Sequence, residues 1–397
     1  MSKFADLRLA VVLAFTVALG PFALDAYLPA FPAMADALGV SVSDIGLTLS
    51  IYVIALSAGQ IVGGPLSDRL GRRQILYPGL LIFIIGSAMV AFSESLLFVL
   101  LARAIQGVGG GFCAVSVPAI VRDRVTGNEA ARLYSLIALI MFIAPAIAPS
   151  LGTLLLHGFG WQGIFVFLIA YGLFVTITLR LTIFRGSPPV RVQGSAPLLR
   201  MITNYGRVLR HKAALRFIGL QAMVYSIMLV YLAHASYFYQ QWMNLSPSTF
   251  ALLFGANVVT MAAFSIGNRR LLLRWPVLKV LPVMVCVQAS GVLALGLIVW
   301  LGAPPVMAVP VFMLMIGAMG GIAPNNLANV MDFFKELSGT AAALMGAVPF
   351  AIGGLISAIS TRFGADNLIA VTSIMAACAL LGVWLAFSAR RLVLKNS

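Results

Sequence analysis

Apolar runs of about twenty residues recur along the whole chain, near 8–31, 44–66, 75–93, 96–120, 131–156, 161–182, 215–239, 248–267, 280–301, 305–327, 336–360 and 367–388. A helix rises about 1.5 Å per residue and needs about 20 apolar residues to cross hydrocarbon. Inside a bilayer every backbone N–H and C=O must bond within the protein, and a helix does this alone. Twelve such runs predict an all-α polytopic membrane protein. Composition agrees: 61% of residues are hydrophobic and 9% charged, against about 45–50% and 25% in a soluble domain. A soluble enzyme, a disordered chain and a secreted disulfide scaffold are excluded. Lys3 and Arg8 precede the first run as in a signal peptide. That run is long, carries Asp25 and lacks a small-residue cleavage site, so it reads as a retained first helix.

The net charge of +15 is a statement about orientation. With the N-terminus in the cytoplasm, 24 of the 26 Lys and Arg residues fall on cytoplasmic loops and flanks, together with 6 of the 11 acids. Arg362 faces the other side and Arg103 lies inside the fourth run. This asymmetry is the positive-inside pattern, and an even number of spans returns the C-terminus to the cytoplasm. The cations are dispersed over loops with no recognition element, so no nucleic-acid partner is expected. Membrane lipids are expected partners.

The longest loop carries Pro188, Pro189, Gly194 and Pro197, then a basic amphipathic stretch from Leu198 to Arg216. It divides the chain into an N-terminal six-helix bundle (1–182), a cytoplasmic linker (183–214) and a C-terminal six-helix bundle (215–397). Part of that linker can lie on the membrane surface; a plain tether is the simpler reading. Cys113, Cys286 and Cys378 all fall in apolar runs and read as small packing residues. There is no CxxC pair, no metal spacing, no GxxxxGK[ST] phosphate loop and no catalytic motif. No metal, no cofactor and no enzymatic activity are expected.

Charges inside the spans are costly and therefore informative. Two stand out, Asp25 in GPFALDAYLPAFP and Arg103 in LARAIQGVGGG. Each is about seven residues from the outer end of its span, so both sit roughly 10 Å deep. Pairing between them, direct or through water, is geometrically open. Burial disfavours an ionised carboxylate and a nearby cation favours it, and a group balanced between the two can couple proton movement to conformation. A fixed structural pair is the competing reading. Pro21, Pro29 and Pro32 bracket Asp25 and predict a kinked or broken helix. Pro145, Pro149 and Gly152 mark the fifth span. Gly107, Gly109, Gly110 and Gly111 mark the fourth, where small residues let helices approach closely. Tyr27, Tyr52, Gln106, Gln221, Tyr225, Met228, Tyr231 and Asn257 are candidate cavity residues for an amphipathic solute. Ordinary helix packing explains any one of them equally well.

The turn after the second span reads Gly64-Pro65-Leu66-Ser67-Asp68-Arg69-Leu70-Gly71-Arg72-Arg73. It resembles the GxLxDRxGRR signature of the major facilitator superfamily. Gly64 would serve helix contact, Gly71 a tight turn, and the arginines an interfacial anchor. The resemblance implies that Asp68 holds a cytoplasmic gate, with the start of the eleventh span and Arg122 as partners. Arg103-Ala104-Ile105-Gln106-Gly107-Val108-Gly109 is similar to the fourth-span signature, which implies a role for Arg103 in proton coupling. Ala144-Pro145-Ala146-Ile147-Ala148-Pro149-Ser150-Leu151-Gly152 resembles an antiporter signature with alanine for its usual glycine. That variant, with Leu24-Asp25-Ala26-Tyr27-Leu28-Pro29-Ala30, Arg122-Asp123, Phe254-Gly255-Ala256-Asn257, Asn268-Arg269-Arg270 and Gly339-Thr340-Ala341-Ala342-Ala343-Leu344, resembles the Bcr/CflA-type drug exporters over nearly the whole chain.

The resemblance implies a major facilitator fold, 12 transmembrane helices in two six-helix bundles, in a bacterial inner membrane. It implies a monomeric antiporter exchanging amphipathic small-molecule drugs, of phenicol, bicyclomycin or sulfonamide type, for protons by alternating access. Asp25 and Arg103 would carry the proton coupling. An exporter of sugars or other small metabolites is the alternative, and a membrane sensor without transport is a third.

Overall fold

The computed structural model describes residues 3–124, 127–184, 198–334 and 337–396. All regular structure among them is helical. Eleven described stretches are long and apolar enough to cross a membrane. One of them, Ile143–Leu181, has 39 residues and is broken at Gly160, whose φ of 69° is a left-handed value that favours glycine. It holds two crossings, so the protein is a 12-helix polytopic membrane protein.

The chain forms two compact helical units, Met1–Val40 with Ile51–Leu198, and Ser41–Ser50 with Leu199–Ser397. The stretch 185–197, with most of the expected linker and its prolines, lies outside the described residues.

In the first unit α1 (Lys3–Asp25) is followed by a short 3-10 turn, Leu28–Ala30, and α2 (Phe31–Leu38). Then come α3 (Val42–Leu70), whose first residues up to Ser50 belong to the second unit, α4 (Arg72–Ala91), α5 (Leu96–Arg124) and α6 (Gly127–Leu181). Helix α5 lies against both α3 and α4, and its glycines permit this. A Cβ on Gly107 would meet the Tyr52 carbonyl and the Leu56 nitrogen of α3. A Cβ on Gly109 would meet the Gly79 carbonyl and the Phe83 nitrogen of α4. Backbone packing this close supplies dispersion contact where lipid gives no hydrophobic drive between helices.

The second unit contains α7 (Leu198–Arg210), α8 (Lys212–Ser236), α9 (Pro247–Leu272), α10 (Val277–Trp300), α11 (Ala308–Gly317), α12 (Met319–Phe333), α13 (Ser338–Thr361) and α14 (Leu368–Asn396). Helix α8 is its centre, packing on α13 and α14, while α9 packs on α11 and α12. A stacked and tilted aromatic group, Tyr231, Phe238, Tyr239, Phe250, Phe254 and Phe312, fills one end. Reciprocal amide bonds between Asn268 and Asn325, 3.0 and 2.7 Å, tie α9 to α12. Cys113 and Cys378 are buried as expected of packing residues, but Cys286 is exposed on α10. An apolar span has a lipid face as well as a packed one, and periodicity alone did not say which face Cys286 takes.

Candidate functional site

Helix α1 ends at Asp25. The chain then turns through Ala26 and Tyr27 before Pro29 enters the 3-10 turn and Pro32 enters α2. Both prolines stand in the first turn of their helices, where the missing N–H costs nothing. Pro29 and Pro32 thus mark the break that the proline cluster predicts, while Pro21 lies inside α1. The break needs room, and α6 provides it at Gly152. A Cβ on Gly152 would overlap the Ala26 carbonyl oxygen. Pro149, a turn earlier, lacks the N–H that would bond the Pro145 carbonyl, while the Thr153 hydroxyl donates to the Pro149 carbonyl at 2.9 Å. Pro145, Pro149 and Gly152 therefore shape the segment of α6 that receives the break.

Arg103 is wholly buried in α5. Its guanidinium lies between two tyrosine rings, 4.5 Å from the centroid of Tyr27 and 4.2 Å from that of Tyr52. Nη2 donates to the Ala23 carbonyl at 3.1 Å, and Nη1 donates to the Gln106 side-chain oxygen. Gln106 Nε2 donates onward to Ser87 Oγ at 2.7 Å, and Ser87 donates to the Phe83 carbonyl at 2.8 Å. The chain of bonds runs from the broken end of α1 through α5 into α4. A cation at the carbonyl end of a helix is electrostatically favourable, and each tyrosine face adds a cation–π attraction.

Asp25 is also buried, with 6% of its surface exposed. No ion pair joins it to Arg103 among the described residues, whose salt bridges both belong to Arg72. Of the pairings left open by the sequence, the direct one is not what this structure holds. Arg103 spends its donors on the carbonyl two residues before Asp25 and on Gln106. Arg103 nevertheless reaches the neighbourhood of Asp25, since the carbonyl that it bonds belongs to Ala23, two residues before Asp25. The Tyr52 hydroxyl and Arg103 Nε are buried without a hydrogen-bond partner.

At the other end of α3, Gly71 has φ 100° and ψ 152°, so the turn into α4 requires glycine. Arg72 bridges two acids. Its Nη1 bonds Asp68 and Ser67 Oγ, the latter at 3.2 Å, and its Nε donates to Asp123 at 2.8 Å. Arg73 sits over the Tyr77 ring at 5.7 Å, and Arg69 is exposed. The Arg122 side chain lies outside the described residues. Gly64 does not serve close helix contact here, because a Cβ there would meet nothing within 4 Å. It precedes Pro65 inside α3, and glycine relieves the clash that proline imposes on a preceding helical residue.

Among the second unit's candidates, Tyr231 is buried, and Asn257 donates to its hydroxyl at 2.8 Å. The Tyr239 hydroxyl lies 3.2 Å from that of Tyr231. Gln221 accepts from Asn326 at 2.7 Å. Tyr225 packs edge-on against Phe350 at 5.2 Å, and Met228 is half-buried. Tyr239 escaped the sequence reading, as did Ser87. Tyr239 belongs to a π-helical segment, Tyr237–Trp242, whose altered register carries no helical-period signal. Ser87, a lone hydroxyl in an apolar run, was a readable signal.

Residues 13–358 match the family described as Major Facilitator Superfamily. A chloramphenicol resistance protein of Pseudomonas aeruginosa is 32% identical over 347 residues, covering 85% of this chain and 79% of that protein. A bicyclomycin resistance protein homolog of Haemophilus influenzae is 26% identical over 369 residues, 92% of each chain. Among solved structures, a D-xylose-proton symporter superposes with a TM-score of 0.72 at 15% identity, covering 94% of this chain and 96% of that one. That last likeness concerns the fold. With the match running through both units, and twelve crossings to carry it, the chain belongs to the Major Facilitator Superfamily and is a small-molecule transporter of that type.

Proposed function

We propose that the protein is a proton-coupled transporter of small, uncharged, hydrogen-bonding organic molecules, and that it exports amphipathic drugs in exchange for protons. One observation carries the coupling. Asp25 is a buried carboxyl at a helix break, beside a cation that is committed to other partners. A carboxylate left unpaired in a low-dielectric interior is expensive, so its ionisation is linked to which side opens to water. Asp25 takes a proton from one side and releases it to the other as access alternates. Arg103 fixes the end of α1 through the Ala23 carbonyl and adds positive potential beside the acid. The drug assignment, of the Bcr/CflA type, draws support from relatives named for resistance to chloramphenicol and bicyclomycin.

A second reading, transport of sugars or similar metabolites, is favoured by a different observation. The Asn257–Tyr231–Tyr239 cluster and the Gln221–Asn326 pair offer amides and hydroxyls in an apolar setting, and Asn257 Oδ1 is buried without a partner. Such groups suit a hydroxylated solute as well as a drug.

The solute moved and the sign of its coupling together separate the two. The full chain is reconstituted into liposomes, the membrane potential is clamped at zero, and uptake of chloramphenicol and of a hexose and pentose panel is followed. Drug uptake driven by an acidic lumen is antiport and supports export. Sugar uptake driven by either gradient, as antiport with an acidic lumen or symport with an alkaline one, replaces the drug reading by the second. Flux of neither kind in response to a gradient sinks the proton-coupled proposal itself.

A further inference from the structure

A cavity of about 750 Å³ opens beside the end of α9, between that helix and α10. It is within the size range of sites for small organic ligands. Phe264, Leu271, Leu273 and Met284 give it apolar walls, and Arg270 and Arg274 stand at one end. Gly267 lies between them, and a Cβ there would meet nothing within 4 Å. From Ala263 to the end of α9 at Leu272 the wall follows the helix for about 14 Å at 1.5 Å per residue. That length is close to half of a hydrocarbon core of about 30 Å.

The cavity adjoins a surface built for lipid. Leu252, Val259, Ile266 and Leu273 recur every seven residues, and each is more than half exposed. Trp275, half exposed with Lys279 Nζ 5.3 Å from its ring centroid, marks the interfacial level. Arg270 lies in the last turn of α9 and Arg274 two residues past its end, and both line the cavity. Neither forms a salt bridge among the described residues, and Arg269 and Lys279 add charge nearby, with no acid anywhere from 269 to 279.

We propose that this cavity binds one anionic phospholipid from the adjoining leaflet, its phosphate on Arg270 and Arg274 and an acyl chain along the wall past Gly267. Guanidinium groups are suited to phosphate because their planar donors match its oxygens. The apolar wall makes the occupant a lipid and not a free anion. Charge complementarity separates phosphatidylglycerol from zwitterionic lipid, since each basic residue near a membrane surface contributes roughly fivefold in affinity.

The test titrates the full-length protein in detergent with phosphatidylglycerol and with phosphatidylcholine of matched chains, reading bound lipid by native mass spectrometry. Wild type should retain phosphatidylglycerol selectively. Arg270→Gln with Arg274→Gln should weaken it about twenty-five-fold. Gly267→Leu, which fills the wall and keeps every charge, should also lose it, with unchanged thermal melting in both variants. Equal binding of the two lipids overturns the proposal, as does wild-type binding in both variants. Loss in the arginine variant alone assigns a surface charge and removes the cavity. Loss in Gly267→Leu alone removes the headgroup contact. Displacement by inorganic phosphate assigns the arginines to a free anion.

Discussion

The Arg103 guanidinium donates to the Ala23 carbonyl at 3.1 Å, two residues before α1 stops at Asp25. A side chain from α5 thereby satisfies one of the carbonyls that the break leaves without a helical donor. The same guanidinium is clamped by Tyr27 and Tyr52. Arg103→Ala should lower stability by about 3–5 kcal/mol, from lost cation–π contacts and an orphaned carbonyl. Arg103→Lys keeps the charge but not the planar fork. It should fold, melt at a lower temperature and lose most gradient-driven transport. Thermal melting with liposome flux measures both. Full transport in Arg103→Lys would show that charge alone suffices.

Asp25→Asn preserves volume and hydrogen-bonding atoms while removing the titratable proton. At one proton per solute, a gradient of two pH units sustains about a hundredfold accumulation, at tenfold per 1.4 kcal/mol. The variant should fall to no accumulation while still exchanging labelled for unlabelled solute across equal pH. The sign matters for the pH profile. Exchange at equal pH in wild type should vary as Asp25 titrates, and in the variant that variation should vanish. Retained accumulation would move the coupling to another group.

What could be read from the residues alone follows from where the signals reside. The twelve spans were legible because hydrocarbon demands long apolar runs and tolerates few charges, and the break after Asp25 because Pro29 and Pro32 are covalent constraints. The equal depth of Asp25 and Arg103 could be counted along the two spans, but whether their helices face each other could not. The partner did not follow. Arg103 bonds a backbone carbonyl, and every residue has one, so no side chain announces it. For the same reason Gly152 looked like part of a motif, when its neighbour is the Ala26 carbonyl. Gly64 matched its signature, yet its packing surroundings are open. The cavity at Arg270 and Arg274 is open space beside Gly267, and open space has no sequence pattern.

Gly152→Ala inserts one methyl where the Ala26 carbonyl stands. Backbone cannot swing away as a flexible side chain does, so α6 and the break must separate. Overpacking of this kind costs about 1–3 kcal/mol. The variant should melt earlier and lose transport. Gly206→Ala on α7 is the control, because a Cβ there meets nothing within 4 Å. It should be neutral or gain up to about 1 kcal/mol of helix propensity. Equal melting of the two variants would remove the steric argument at Gly152.

Arg72 holds Asp68 and Asp123 at once, through different guanidinium nitrogens. The two carboxylates are 43% and 46% exposed, so each pair contributes at most about 1 kcal/mol and weakens with salt. A shared partner makes the two acids non-additive. Removing Asp123 frees Nε, yet Arg72 stays on Asp68 and Ser67; removing both acids leaves a half-buried cation with only the Ser67 hydroxyl among these three partners. Asp68→Asn and Asp123→Asn should each shift melting slightly, and together by roughly 0.5–1 kcal/mol more than their sum. Arg72→Lys, a single ammonium point, cannot span both acids and should resemble the weaker single variant. Melting at low and at high salt reads the coupling, and strict additivity at low salt would mean that Arg72 does not bridge them.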